Sequence, residues 1–120
     1  MKFNPSSEDE IAARAIWSQG IYAFEILDAE EKLSASKGNP MLELKIEITR
    51  RDGSTRIVRD YLLPQRPEKL LHAATTCGLL EKYESGEMES DDFVGKRGKL
   101  KLGIKRSKDW PTKNVVLDYV

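Results

Sequence analysis

One histidine and one cysteine, His72 and Cys77, bound the nucleophilic chemistry open to this chain. Such chemistry needs a base held against a nucleophile. The two residues lie five apart in a stretch of helical period, so their side chains point in substantially different directions. Cys77 falls on the apolar stripe of that stretch and His72 falls off it, which suits a core thiol and a surface imidazole better than a catalytic pair. One cysteine and one histidine cannot build a zinc site. The carboxylates Glu87, Glu89, Asp91 and Asp92 lack the loop spacing of a calcium-binding EF-hand. Gly95-Lys96-Arg97-Gly98 lacks the full phosphate-loop pattern and precedes a strand pattern instead of a helix. The expectation is a non-enzymatic protein with no metal and no cofactor.

Cations interleaved with aromatic residues offer a different chemistry. Binding a single nucleic-acid strand needs charges for the phosphates and ring faces on which bases stack. Arg50, Arg51, Arg56, Arg59 and Tyr61 fall on a hairpin and its returning strand. Arg106, Lys108, Trp110 and Lys113 fall in or beside a late loop, and Lys37 and Asn39, with Lys32 before them, fall in an early one. Lys99, Lys101 and Lys105 share one face of a strand, where Gly103 leaves a gap for close approach of a backbone. The same lysines suit the solvated guard of an edge strand. Trp110, beside Pro111 and outside any apolar period, serves equally as a stacking platform or as a ring packed back on the fold. Glu43 and Glu47 oppose phosphate from the outer face of a neighbouring strand. Modest affinity with a steep salt dependence follows.

These groups need a scaffold, and the hydrophobic period supplies one. Ser7 and Glu10 have capping-box spacing and open a short N-terminal helix. Ile21 to Leu27 is β-branched and aromatic, a first strand, followed by a polar connection from Asp28 to Asn39. Met41 to Ile48 alternates, with Leu42, Leu44, Ile46 and Ile48 on one face. Asp52-Gly53 marks a hairpin, and Thr55 to Leu62 returns as a third strand. Pro67 and Gly78 bracket a helix with Leu70, Ala73, Ala74 and Cys77 on its apolar stripe. A shorter helical piece, Leu79 to Tyr83, and an acidic loop follow. Lys99 to Arg106 and Val115 to Val120 are the last two strands. The fold class is mainly β with one main helix. The order β-β-β-α-β-β is that of a five-stranded OB-type barrel, with residues 1–19 as a helical extension and residues 20–120 as the OB domain.

Length and composition agree with this. The chain has 120 residues, 39% of them hydrophobic, enough for one domain with one core. Residues Met1 to Glu8 carry no apolar signal-peptide core and no stretch reads as a membrane span, so a cytosolic address is expected. The lone cysteine fits a reducing compartment. Formal net charge is zero, but the charges are segregated along the chain. Glu81 to Asp92 holds six acids and one base, and Phe93 to Val120 holds eight bases and two acids. A basic face is available if the fold gathers those bases on one side.

Ser36-Lys37-Gly38-Asn39-Pro40-Met41, then Asp60-Tyr61-Leu62, Gly78-Leu79 and Gly95-Lys96, carry a resemblance. Over residues from about Gly20 to the C-terminus, the sequence resembles a family of small phage-encoded proteins of formerly unknown function. These look like OB-fold single-stranded DNA-binding proteins. The resemblance implies Lys37, Asn39 and Tyr61 as binding residues, with Gly38 and Pro40 shaping the loop. Asn39 suits equally a hydrogen bond that fixes its own turn. It also implies single-stranded DNA as the ligand, phage replication or recombination proteins as partners, and the bacterial host cytoplasm as the location. The chain departs from many bacterial single-strand binders in ending at Asp118-Tyr119-Val120 instead of an acidic tail; the segment Glu81 to Asp92 is the candidate equivalent. The expected function is non-catalytic single-stranded DNA binding in phage DNA replication or recombination. The alternative is a protein-interaction module on the same barrel. Oligomeric state stays open, a dimer included.

Overall fold

The computed structural model describes residues 1–3, 5, 16–33, 38–109 and 112–120. Five strands, β1 (Gly20–Leu33), β2 (Pro40–Thr49), β3 (Thr55–Leu62), β4 (Arg97–Lys105) and β5 (Lys113–Tyr119), form one antiparallel sheet in the order β3-β2-β1-β4-β5. Two helices, α1 (Pro67–Thr76) and α2 (Leu80–Ser85), lie between β3 and β4, followed by a single 3₁₀ turn at Ser90–Asp92. The helix expected from Ser7 onward lies mostly outside the described residues.

The alternation in β2 does what a period of two requires. Leu44, Ile46 and Ile48 are fully buried, while Glu43, Lys45 and Glu47 face outward. Phe24 and Ile26 of β1, Leu100 and Leu102 of β4, and Phe93 join them in the core. Each large apolar side chain so buried stabilises the fold by about 1.5–3 kcal/mol. Helix α1 opens with Pro67 in its first turn and sets Ala73, Ala74 and Cys77 on the sheet. The hairpin at Asp52-Gly53 forms as expected: Gly53 takes φ +87°, and Arg50 and Ser54 close the turn at 2.9 Å.

Three features differ from the expectation. Strand β1 continues to Leu33, through residues 28–33 of the expected polar connection. A bulge at Leu27 shifts the register between Ile26 and Asp28, after which Ala29 turns inward and Asp28, Glu30 and Lys32 turn outward. One inserted residue breaks the alternation that marks a strand, so this half reads as loop by composition alone. Trp17, grouped with the N-terminal extension, is buried in the core at 6% exposure. Its backbone N–H donates to Asn114 Oδ1 at 2.8 Å, and Asn114 Nδ2 donates back to the Trp17 carbonyl at 2.9 Å. Gly103 leaves no gap. A second bulge, in β5 between its pairings with Lys101 and Leu102, leaves Leu117 lying over Gly103, where a Cβ would stand 2.6 Å from Leu117 Cδ1.

Strands β3 and β5, the outer strands of the sheet, approach each other through side chains, and among the described residues no backbone ladder joins them. Asp60 of β3, only 7% exposed, accepts from Tyr119 Oη of β5 at 2.7 Å and from Lys69 Nζ of α1 at 2.8 Å. Lys69 donates also to the Val116 carbonyl at 2.8 Å. Nearer the start of β3, Arg56 Nη1 donates to Asn114 Oδ1 at 3.2 Å.

Candidate nucleic-acid interface

The strand directions gather part of the basic C-terminal segment, together with bases of the β2–β3 hairpin, at one end of the sheet. Strands β1, β3 and β5 begin, and β2 and β4 finish, at one end of the sheet. Arg50, Arg51, Arg56, Lys105, Arg106, Lys108 and Lys113 all belong to that end, and among the described residues Asp52 and Asp109 are the acids there. Lys105 and Lys113 are direct partners across the β4–β5 ladder. Like charges placed so repel, and among the described residues no carboxylate pairs with either.

A groove of about 570 Å³ runs between the outer edge of β3 and the start of β5. Arg56, Arg59, Tyr61 and Lys113 line it, over a floor that includes Ile57 and Val115. Tyr61 is 42% exposed, so a ring face is accessible. From Arg56 to Tyr61 the strand covers about 17 Å at the usual rise per residue. A second groove beside the start of β1 is lined by Ile21, Tyr22, Arg50 and Arg51.

Not every cation here is free. Arg59 Nη1 is 2.8 Å from Glu43 Oε1, and Lys32 Nζ is 2.9 Å from Glu43 Oε2. The hydrogen bond from Lys32 and its charge, with Arg59 adding to it, hold the Glu43 carboxyl below its ordinary value. Arg97 pairs with Glu25 at 2.8 Å. Lys32, Arg59 and Arg97 are thus engaged, whereas among the described residues no carboxylate bridges the bases of the basic end, nor Lys99 and Lys101 of the outer face. The Arg50 guanidinium stacks 4.1 Å from the centroid of the Trp17 ring, with Arg56 at 5.9 Å. Trp17 is therefore covered by protein and is no platform for a base.

The expected binding residues do not all come together. Arg56, Arg59, Tyr61 and Lys113 meet in the main groove, flanked by exposed Lys105, Arg106 and Lys108; Arg50 and Arg51 line the second groove. Lys99 and Lys101 are exposed on the outer face of β4, opposite Ala23 and Ile21, and line neither groove. Asn39 is half-buried where β2 begins, at the opposite end of the sheet. Lys37 and Trp110 lie outside the described residues. Asn114 escaped sequence reasoning. It binds Trp17, Arg56 and the Gly103 carbonyl, and so positions the groove wall. An asparagine in a strand pattern was the available signal, because asparagine is depleted in strands.

Cys77 and His72 sit apart. Burial pushes the Cys77 thiol up to about 11, so it stays protonated at neutral pH. His72 Nδ1, exposed on α1, is 2.8 Å from Asp118 Oδ1. Among the described residues no cluster of His, Cys, Asp and Glu could hold a metal ion, and no helix is long and apolar enough to cross a membrane. The sequence matches no protein-family model, and no curated protein is significantly similar to it.

Proposed function

We propose that this chain is a non-catalytic single-stranded DNA-binding protein built on an OB-type barrel. The barrel reading is supported by the strand order, by the helix between the third and fourth strands, and by the side-chain ties across the β3–β5 gap. The observation that carries the binding reading is the groove between β3 and β5. It sets Arg56, Arg59 and Lys113 beside the open ring of Tyr61, with the Lys105–Lys113 pair at its mouth. Cations track a phosphate backbone while a ring stacks on bases without regard to sequence. The role in phage DNA replication or recombination, inside the bacterial host cytoplasm, rests on the resemblance carried by Ser36-Lys37-Gly38-Asn39-Pro40-Met41 and its companion motifs.

The test is a titration with a thymine oligonucleotide, read by tryptophan fluorescence and by mobility shift, at low and moderate salt, with duplex DNA as control. Salt-sensitive binding of the single strand, weakened at least tenfold by Lys105→Glu/Lys113→Glu, is the expected result. No complex at low salt, or equal binding of duplex, would remove the proposal.

The alternative, a protein-interaction module, is favoured by one feature at the opposite end of the molecule.

A further inference from the structure

That feature is an apolar cleft of about 430 Å³ where β1 ends, β2 begins and the helices cover the sheet. Met41, Leu62, Leu70, Tyr83 and Met88 line it, and Glu31 stands at its edge. Gly86, in the left-handed conformation at φ +76°, ends α2 and turns the chain so that Met88 reaches the cleft. The volume is that of a binding site for a few side chains, and methionine and leucine walls adapt to varied apolar shapes.

The rim decides what enters. Glu84 and Glu87 adjoin Tyr83, Gly86 and Met88 in the chain, and both are exposed. With Glu31 they form three carboxylates, none of which has a basic partner among the described residues. Of the nearby bases, Lys82 lies 3.7 Å from Asp92 and Lys32 binds Glu43. Arg66, exposed between the lining Pro64 and Pro67, pairs with no carboxylate among the described residues, so three carboxylates stand against one open base. Such a rim repels phosphate, so the cleft is no extension of a nucleic-acid track. It also makes a purely apolar occupant a poor match, because entry would desolvate carboxylates with nothing opposite them.

We infer that this cleft docks a segment of a partner protein in which apolar side chains are flanked by lysine or arginine. The apolar side chains fill the space between Met41, Leu70 and Met88, and the flanking bases meet Glu31, Glu84 and Glu87. The site is separate from the β3–β5 groove and does not rest on DNA binding.

The experiment is selection of a random peptide display library on the purified, nuclease-treated full chain. Synthesis of the enriched peptides and mapping by amide chemical shifts follow. Enriched sequences should share an apolar anchor flanked by Lys or Arg, and shifts should concentrate at residues 40–42, 62–70 and 83–88. Glu84→Gln/Glu87→Gln, confined to exposed positions, should weaken those peptides about five- to tenfold while leaving oligonucleotide binding unchanged. Met88→Asp should abolish peptide binding. Failure to enrich, enrichment of peptides without bases, or equal binding to the Glu84→Gln/Glu87→Gln variant would overturn the inference. A self-association that buries the cleft without any peptide would also overturn it, assigning the face to a second copy of the chain.

Discussion

Lys105 and Lys113 face each other directly across the β4–β5 ladder with no carboxylate paired to either among the described residues. A fold selected for stability alone has little reason to hold that arrangement, because either position accepts a neutral residue without loss of packing. Lys105→Ala/Lys113→Ala should therefore separate stability from binding. At low salt the melting temperature should rise by about 1–3 °C as the repulsion is relieved, while affinity for single-stranded DNA falls. Each phosphate contact contributes about −0.7 to the slope of log K against log salt for a single strand. The double variant should thus flatten that slope by about 1.4. A lower melting temperature with unchanged slope would make these lysines structural.

Glu43 restrains the groove from within. It holds Arg59 at 2.8 Å and Lys32 at 2.9 Å, so part of the cation set is engaged before any ligand arrives. Exposed pairs of this kind contribute little to stability. Glu43→Gln should leave folding nearly unchanged and tighten oligonucleotide binding about two- to threefold by releasing Arg59 toward the groove. Unchanged affinity in the same titration would place the strand away from Arg59.

Packing supplies a prediction of another kind. Helix α1 approaches β4 at Gly98, where an added Cβ would collide with Thr76 Cγ2 and stand 3.2 Å from the Phe24 ring. Gly98→Ala forces apart the helix and the strand that completes the core, and should cost about 1–3 kcal/mol in denaturant unfolding. Since Gly98 lies far from the β4–β5 loop, oligonucleotide affinity of the folded fraction should stay the same.

Much of this arrangement was legible in the residues. The alternation from Leu42 to Ile48, the Asp52-Gly53 hairpin and the stripe Leu70, Ala73, Ala74, Cys77 each reported a local rule that the tertiary structure obeys. The second half of β1 was hidden by the bulge at Leu27, because a period of two carries no warning of a single inserted residue. Leu117 over Gly103 was hidden for the same reason, since a bulge in one strand decides what covers a glycine in its neighbour. The binding residues were chosen by type, and type could not tell Lys113, with no carboxylate paired to it among the described residues, from Arg59, tied to Glu43. Spatial segregation of charge needed the strand directions, which composition does not contain.

Asp60 could have been singled out, because it falls in phase with Val58 and Leu62 on the inward face of β3. Its partner is nine residues away on α1, and the Lys69–Asp60 bridge at 2.8 Å, with Tyr119 Oη at 2.7 Å, fastens β3 to β5 beneath the helix. Burial raises the Asp60 pKa above its ordinary value, with Lys69 opposing the shift most strongly. Lys69→Met keeps the packing volume but leaves a buried carboxylate with the Tyr119 hydroxyl and the Tyr61 backbone N–H and no cation. At neutral pH the loss should be about 3–5 kcal/mol. The sign with pH follows from linkage: a folded-state pKa raised above the unfolded one means that stability is gained as pH falls through the folded value toward the unfolded one. In Lys69→Met the Asp60 pKa rises further, so the deficit relative to wild type should shrink steadily on acidification from neutral toward pH 4. Urea unfolding at a series of pH values measures this. A deficit that stays constant would mean that Lys69 acts through packing and its bond to the Val116 carbonyl, and not through the charge of Asp60.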